Sequence, residues 1–292
     1  SVLACVVDKD DEVIIPAPYW VSYVEMVKLA DGKNVLINAG IDHDFKVTPE
    51  QLEAAITPKT RAFLFSSPSN PTGSLYSREE LKALADVFAK HENIIIISDE
   101  IYEHINYEGK HESIAQFENI RDRVVVVNGV SKGYAMTGWR IGYIGAPLWI
   151  AKACTKLQGQ VTSGVCSIAQ KAAVAALNDN IAPTLEMKEA FRRRRDIVLE
   201  KVAGIEGMKT TVPGGAFYIF ADISSYFGKS FGNYNIQNPD DLSMYLLNEA
   251  HVATVSGTAF GDSDCLRFSY ATSDEVLVEA VSRIKKALDQ LT

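Results

Sequence analysis

The chain has 292 residues and a mass of 32.0 kDa, enough to bury a large core in one domain or in two. Hydrophobic residues make up 47% of it and charged residues 23%, and the formal net charge of -8 leaves no basic excess to neutralise nucleic-acid phosphates. No apolar run approaches the length of a membrane span, so we expect neither a nucleic-acid partner nor a membrane partner.

The four cysteines are scattered and show neither a CxxC pair nor the spacing of metal ligands. They are Cys5, Cys154, Cys166 and Cys265. This pattern predicts buried, reduced thiols in a cytoplasmic protein, and it gives no metal site.

An apolar stretch opens the sequence at residues 2–7, and a polar turn at residues 8–11 follows it. Such a stretch is typical of the interior of a domain rather than of a solvated terminus. We therefore expect this chain to lack an N-terminal segment that would cover it.

Strand-like and helix-like segments alternate up to about residue 150. Apolar and β-branched runs predict strands at residues 13–15, 35–37, 62–66, 94–97 and 124–127. Helices are predicted between them, at residues 20–30, after Thr48-Pro49, and at residues 81–90 after the capping-box spacing of residues 77–80. This alternation predicts an α/β fold with a mostly parallel sheet and helices on both of its faces.

The second part of the chain has a different order of elements. Helical patterns come first, then strands, then a last helix, at residues 165–177, 182–202, 216–222, 252–256, 266–270 and 274–291. We expect a large domain over residues 1–180 and a smaller C-terminal α+β domain with a linking helix over residues 181–292. Residues 222–241 have no clear period and predict a surface loop. The four cations at residues 192–195 predict a solvated helix face with acidic partners nearby.

Residues 128–140 follow a predicted strand and contain the most informative lysine of the chain. Lys132 lies in a glycine-flanked turn, where partial desolvation would lower the pKa of its amine and make it a nucleophile toward aldehydes. Arg140 offers an always-charged fork suited to a phosphate. The pair is the minimum equipment for pyridoxal phosphate (PLP). The alternative is a surface lysine and an arginine in a helix-capping loop.

Polar side chains follow three of the predicted strands. Asn70, Asp99 with Tyr102, and Lys132 come after the strands at 62–66, 94–97 and 124–127. Ligands of α/β sheets bind beyond the carboxyl ends of the strands, so we expect these four side chains to converge.

The four residues suit a pyridine aldehyde. Asp99 would pair with the protonated ring nitrogen, and Asn70 and Tyr102 would hydrogen-bond the phenolic oxygen. Lys132 would hold the cofactor as an imine and then act as general base and acid. Plainer interpretations are a turn residue for Asn70, a helix N-cap for Asp99 and core packing for Tyr102. Their shared position at strand ends favours the catalytic interpretation.

Two further residues join this set by their chemistry. Trp20 follows the first strand and could stack on the cofactor ring, or it could be a core tryptophan. Arg267 is a cation inside a C-terminal strand, where it could bind a substrate α-carboxylate bidentately. The alternative for Arg267 is an exposed edge strand.

Short motifs in a fixed order span essentially the whole chain. They are residues 18–23 (PYWVSY), 55–60 (AITPKT), 70–73 (NPTG), 98–103 (SDEIYE), 131–140 (SKGYAMTGWR) and 267–271 (RFSYA). With these motifs the sequence resembles the fold-type I, class I PLP-dependent aminotransferases, and within them the aspartate aminotransferases of subgroup Ib.

The resemblance implies a transaminase that moves the amino group of L-aspartate to 2-oxoglutarate. It implies that Lys132 carries PLP as a covalent imine, that Asp99 and Tyr102 are catalytic with it, and that Arg140 binds the phosphate. Trp20, Asn70 and Arg267 would contact the amino-acid or 2-oxo-acid substrate. The resemblance also implies a homodimer, with each site at the subunit interface.

Several features of that family are absent from this chain. They are a Gly/Ser-rich phosphate-binding turn, a tyrosine donated to the partner's site, and the residues that bind the distal carboxylate of the substrate. The sequence therefore does not indicate which amino-acid side chains the enzyme accepts. We also expect a protein beginning at Ser1 to bind PLP poorly.

Other activities share the same cofactor residues. One is a prephenate or other amino-acid aminotransferase, and another is a PLP lyase or synthase of the same fold. A third is the ligand-sensing domain of a transcription regulator, which would need a helix-turn-helix region upstream. Residues 136–140 favour the transaminase.

Overall fold

The computed structural model describes residues 1–292, which form two main sheets with separate hydrophobic cores. The first sheet has the strand order β2-β1-β3-β4-β5-β6. Its strands are β1 (Glu12–Ala17), β2 (Lys33–Asn38), β3 (Thr60–Ser66), β4 (Ile95–Asp99), β5 (Val124–Gly129) and β6 (Gly142–Gly145). Strands β1 to β5 are parallel and β6 is antiparallel to β5, which confirms the mostly parallel sheet.

Helices cover both faces of this sheet, as predicted. Because successive side chains of a strand point to opposite faces, Phe63 and Phe65 of β3 enter one core and Ala62 and Leu64 enter the other. The first core includes helices α3 (Pro49–Ala55) and α4 (Arg78–Phe88). The second includes α1 (Leu3–Val6), α2 (Ser22–Lys28) and α5 (Leu148–Val161). The apolar residues 2–7 therefore lie largely in a core.

Local capping fixes where two of these helices begin. The side chains of Thr48 and Gln51 form a capping box before α3, which has Pro49 in its first turn. Ser77 and Glu80 form a second capping box before α4. Both boxes confirm the sequence signals. Helix α4 begins at Arg78, inside the capping-box residues, and not at residue 81 as predicted.

The second sheet is antiparallel, in the order β11-β12-β8-β7. Its strands are β7 (Lys209–Thr210), β8 (Tyr218–Asp222), β11 (Val255–Ser256) and β12 (Cys265–Ser269). Helices α7 (Ala182–Val202), α8 (Pro239–Tyr245) and α9 (Asp274–Leu288) share its core. Helix α6 (Ser167–Asn178) precedes α7. The α+β character of this part agrees with the prediction.

The prediction of a surface loop at residues 222–241 is wrong. A 3-10 helix (Ser224–Tyr226) leads into a hairpin of β9 (Ser230–Phe231) and β10 (Tyr234–Asn235), followed by α8 and a π-helix (Leu246–Ala250). Tyr226 and Ile236 are buried, with exposed fractions of 2% and 0%. Aromatic and branched side chains here reach the core at irregular intervals, so no period marked them as structured.

Smaller differences concern element lengths. The strand predicted at 252–256 is only β11, because residues 251–254 are not in a strand. Helix α9 ends at Leu288, short of residue 291. Helix α5 and strand β6 were not predicted, and β6 contains two glycines and no sustained β-branched run.

The four cations on α7 do not share one solvated face. Arg193 and Arg194 do pair with an acidic residue, Asp274 at the start of α9. Arg195 is buried, donates from Nη1 to the carbonyl of Pro213 at 2.9 Å and stacks on the Tyr107 ring. The solvated-face prediction is therefore wrong for Arg195, whose long side chain links α7 to the segment before β8.

The cysteine prediction is correct for Cys154 and Cys265, which are buried free thiols, whereas Cys5 is half-buried and Cys166 is exposed. Cys166 lies just before α6, outside both cores. None of the helices is both long enough and apolar enough to cross a membrane.

Candidate active site

The carboxyl ends of β3, β4 and β5 meet at one edge of the first sheet. Their register pairs Ser66 with Asp99 and Asp99 with Val127. The chain segments that follow, with Asn70, Tyr102 and Lys132, leave the sheet at this edge. Parallel pairing of consecutive strands is thus what brings residues distant in sequence to one place.

Asp99, the last residue of β4, is held by two donors. Its Oδ2 accepts from Tyr23 Oη at 2.7 Å, and its Oδ1 accepts from the backbone N–H of Ile101 at 3.1 Å. Burial raises the pKa of the Asp99 carboxyl, and these two hydrogen bonds oppose the rise. The N-cap alternative is only partly realised, because Asp99 caps a turn that does not continue as a helix. Sequence reasoning missed Tyr23, which α2 carries.

Lys132 is half-buried in the turn after β5. Its Nζ lies 5.9 Å from the centre of the Tyr102 ring and 5.8 Å from that of Phe217. Burial lowers the pKa of the Lys132 amine, the positive charges of Arg140 and Arg267 lower it further, and Asp99 raises it. Helix α7 also contacts the turn that contains Lys132, since Thr184 donates to the carbonyl of Gly133 at 2.9 Å.

Tyr102 is buried, and its hydroxyl lies 2.9 Å from the hydroxyl of Tyr218 on β8. Burial raises the pKa of Tyr102, and Tyr218 contributes to the rise. Tyr102 therefore packs in a core, as the plainer interpretation held, and still presents its ring to Lys132. Sequence reasoning missed both Tyr218 and Phe217, which carry no motif or strand-end signal.

Arg267 reaches across from the second sheet to the first. Its Nη1 donates to Asn70 Oδ1 at 2.9 Å, and its guanidinium lies over the rings of Tyr218 and Phe260 at 4.7 and 4.8 Å. Its Nε is buried without a partner, and burial lowers the pKa of the guanidinium. The edge-strand alternative is wrong, because β12 lies between β11 and β8. A buried cation with an unpaired donor is suited to an anionic ligand.

Arg140 is exposed and stands apart from the other candidates. Its backbone has φ 55°, and its Nη1 donates to the carbonyl of Thr137 at 2.9 Å. The side chain makes no hydrogen bond with the other candidates, although its charge acts on Lys132.

Trp20 is partly buried beside Asp99. It packs edge-to-face on Tyr23, with ring centres 5.6 Å apart. A cavity of about 690 Å³ opens here and is lined in part by Trp20, Tyr23, Asp99, Asn128 and Tyr143. Lys132 is not among its lining residues. The candidates therefore form two groups: Trp20 and Asp99 line this cavity, and the others except Arg140 lie toward Arg267.

Comparisons with known proteins agree with one another. The family model described as aminotransferase class I and II matches residues 1–284. A bifunctional aspartate aminotransferase and glutamate/aspartate-prephenate aminotransferase of Petunia hybrida is 50% identical over 95% of this chain, which spans 59% of that relative. An aspartate/prephenate aminotransferase of Cereibacter sphaeroides is 48% identical over 98% of this chain and 72% of its own length. The crystal structure of an aspartate aminotransferase from Rhizobium meliloti superposes with a TM-score of 0.96, at 45% identity over 100% of this chain and 74% of that one.

Proposed function

The chain belongs to the class I and II aminotransferase family, and from that premise we propose that the protein transfers the amino group of L-aspartate to 2-oxoglutarate. The observation that carries the proposal is the Lys132 amine. It is half-buried at the end of β5, its pKa is lowered, and the charges of Arg140 and Arg267 act on it. The chain spans 59% of the length of the petunia relative, so the activity of the whole protein is part of this proposal.

Enzymes of this family use PLP bound through a lysine. The residues present here fit that group. Lys132 supplies an amine that burial biases toward its neutral, reactive form, and Asp99 supplies a buried carboxylate with two donors fixed on it. Nη2 of Arg267 makes no hydrogen bond and, unlike Nε, is not fully buried, which leaves a donor for a carboxylate. When bound, PLP supplies an electron sink for a carbanion.

Each residue has a role that follows from its contacts. Arg267 can only donate, so the Asn70 atom facing it is the carbonyl oxygen, and the amide nitrogen of Asn70 remains free to donate to the phenolic oxygen. Tyr102 has a hydroxyl proton to donate to the same oxygen. With the cofactor bound, Lys132 Nζ would take the substrate proton as general base and return it as general acid.

Asp99, Trp20 and Arg140 would bind or orient the cofactor. Asp99 keeps the ring nitrogen protonated through its negative charge. Trp20 forms a wall of the cavity beside Asp99, where a planar ring can stack on it. Arg140 contributes positive charge for the phosphate, and it is the least enclosed member of the set.

The names of the two relatives also favour prephenate as a second amino acceptor. Nothing in this chain separates the two acceptors by contact. Rates with 2-oxoglutarate and with prephenate, measured on the same preparation with L-aspartate as donor, decide between them. Formation of an amino acid from the 2-oxo-acid acceptor distinguishes transamination from elimination by a PLP lyase.

We propose in addition that the protein is a cytoplasmic homodimer. Its free thiols support the location. Large apolar side chains on α5 and α6 support the dimer, because Val161 and Ile168 are 71% and 72% exposed and Trp149 is 50% exposed. Ile168→Lys should give monomers in sedimentation velocity, and Val276→Lys, on α9, should not. A monomeric wild-type protein would contradict the dimer.

The lysine assignment is tested by trapping. PLP is added to the protein, the adduct is reduced with borohydride, and the modified peptide is identified by mass spectrometry. We expect the label on Lys132, its loss in Lys132→Ala and its retention in Lys82→Ala, a control lysine paired with Asp86 on α4. A reducible adduct that persists in Lys132→Ala would refute the assignment.

A further inference from the structure

We propose that Tyr218 is a positioning residue that links the carboxylate-binding Arg267 to the hydroxyl of Tyr102. This inference rests on the proposed function and names a residue that neither the motifs nor the strand-end argument included. Tyr218 is buried at the start of β8 and touches both partners: its hydroxyl lies 2.9 Å from that of Tyr102, and its ring lies 4.7 Å from the guanidinium carbon of Arg267.

The register of the second sheet explains why one residue reaches both. In the antiparallel pair of β8 and β12, Arg267 is opposite Phe220, and Ser269 is opposite Tyr218. Side chains two residues apart on a strand share a face, so Tyr218 and Arg267 are diagonal neighbours on one face of the sheet. The β8 strand thereby places an aromatic ring under the cation and directs its hydroxyl toward the first sheet.

The hydrogen bond matters because a tyrosine hydroxyl carries one proton. If Tyr102 donates to Tyr218, Tyr102 has no proton left for the phenolic oxygen of the cofactor. If Tyr218 donates to Tyr102, the proton of Tyr102 is free. Burial raises the pKa of both hydroxyls, and the charge of Arg267 opposes the rise in both; because the guanidinium lies 4.7 Å from the Tyr218 ring, its effect favours Tyr218 as the donor of the pair.

The charged and titratable groups around this pair come from four segments. They are Asp99 at the end of β4, Lys132 after β5, Tyr23 on α2 and Arg267 on β12. A carboxylate bound to Arg267 neutralises the charge that favours Tyr218 as donor. Substrate binding should then weaken the hydrogen bond from Tyr102 to the phenolic oxygen. Tyr218 is the residue that transmits this effect from Arg267 to Tyr102.

The test measures the pH at the midpoint of the visible absorbance change of the PLP-loaded protein. A donor to the phenolic oxygen lowers this midpoint by favouring the deprotonated form. If Tyr218 donates to Tyr102, Tyr218→Phe removes the polarisation of the Tyr102 hydroxyl, which accounts for about 10–30% of its hydrogen bond to the phenolic oxygen, so the midpoint should rise by roughly 0.1–0.7 pH unit. Tyr245→Phe is the control, since the Tyr245 hydroxyl donates to the Ala287 carbonyl in the core of the second sheet. It should leave the midpoint unchanged.

A double-mutant cycle with Tyr102→Phe separates positioning from loss of packing. Tyr218→Phe should have no further effect on the midpoint in the Tyr102→Phe background, because the proposed path runs through that hydroxyl. Succinate, a carboxylate that cannot transaminate, should shift the midpoint less in Tyr218→Phe than in the wild type.

The outcomes distinguish this inference from the proposed function. If the wild-type protein forms no PLP adduct on Lys132, the proposed function fails and the inference fails with it. If the adduct forms and Tyr218→Phe titrates as the wild type does, or shifts equally with and without the Tyr102 hydroxyl, only the inference is overturned.

Discussion

Replacing Tyr23 with phenylalanine removes one of the two hydrogen bonds to Asp99 and keeps the ring in place. The bond is 2.7 Å long, and its acceptor is a carboxylate whose pKa burial raises. Hydrogen bonds to charged groups contribute about 1.5–3 kcal/mol, and 1.36 kcal/mol corresponds to one pKa unit. Because the protonated carboxyl also loses a hydrogen bond, worth about 0.5–1.5 kcal/mol, Tyr23→Phe should raise the pKa of Asp99 by the difference, about one unit.

This change makes the cost of the substitution depend on pH. Burial already raises the pKa of Asp99 above its unfolded value of 3.8. The folded state then binds the proton more tightly, so the contribution of Asp99 to stability is fully present below the unfolded pKa and is lost as pH rises through the folded pKa. Tyr23 offsets part of that loss. Tyr23→Phe should cost about 1.5–3 kcal/mol where Asp99 is ionised and about 0.5–1.5 kcal/mol where it is protonated.

The assay is urea unfolding of both proteins from about pH 8 down toward about pH 4, where the cost of Tyr23→Phe should fall toward low pH because the pKa of Asp99 is raised. Tyr76→Phe is the matched control: Tyr76 is also buried, but its hydroxyl oxygen accepts from the neutral N–H of Val47 at 2.9 Å. Its cost should not vary over this range. A pH-independent cost for Tyr23→Phe, equal to that of the control, would refute the reasoning.

Three other substitutions test the rest of the site and its frame. Arg267→Ala should raise the KM of the amino acid by about 30-fold to several thousand-fold, the equivalent of about 2–5 kcal/mol, with the Kd of PLP unchanged; an unchanged KM would exclude Arg267 as the carboxylate ligand. Arg140→Gln removes a charge that lowers the pKa of Lys132, so the rate of PLP attachment should need a higher pH, and an unmoved pH–rate profile would count against it. Gly73→Ala should destabilise the fold by about 2–5 kcal/mol in thermal unfolding, because φ is +71° and the added Cβ would lie 2.5 Å from a proline side chain. Gly40→Ala, with nothing within 4 Å of its added Cβ, is the control.

The sequence predicted those parts of the fold that local patterns encode. Continuous apolar runs such as residues 94–97 marked doubly buried strands, and the capping boxes at Thr48 and Ser77 marked helix starts. The segment at 222–241 was mispredicted because its buried side chains, including Tyr226 and Ile236, have no period. Periodicity detects regular elements and is blind to irregular ones that fill a core.

The site followed a similar division. The position of Asn70, Asp99, Tyr102 and Lys132 at or beyond the strand ends was predictable, because parallel strands end at one level. Tyr23 and Tyr218 were not, since their bonds to Asp99 and Tyr102 join positions 76 and 116 residues apart. Contacts of that kind depend on how elements pack, and neither residue type nor spacing encodes them.

Helix α7 connects the turn that contains Lys132 to the C-terminal part of the chain. Its first turn contacts the lysine turn through Thr184 and Gly133. Farther along, Arg195 contacts the segment before β8, and the Asp274 pairs link the helix to α9. The helix has 21 residues and is therefore about 30 Å long. Thr184 lies about 27 Å from the far end of the helix at Val202, so a tilt of about 5° around Thr184 would displace that end by about 2 Å and leave the lysine turn almost in place.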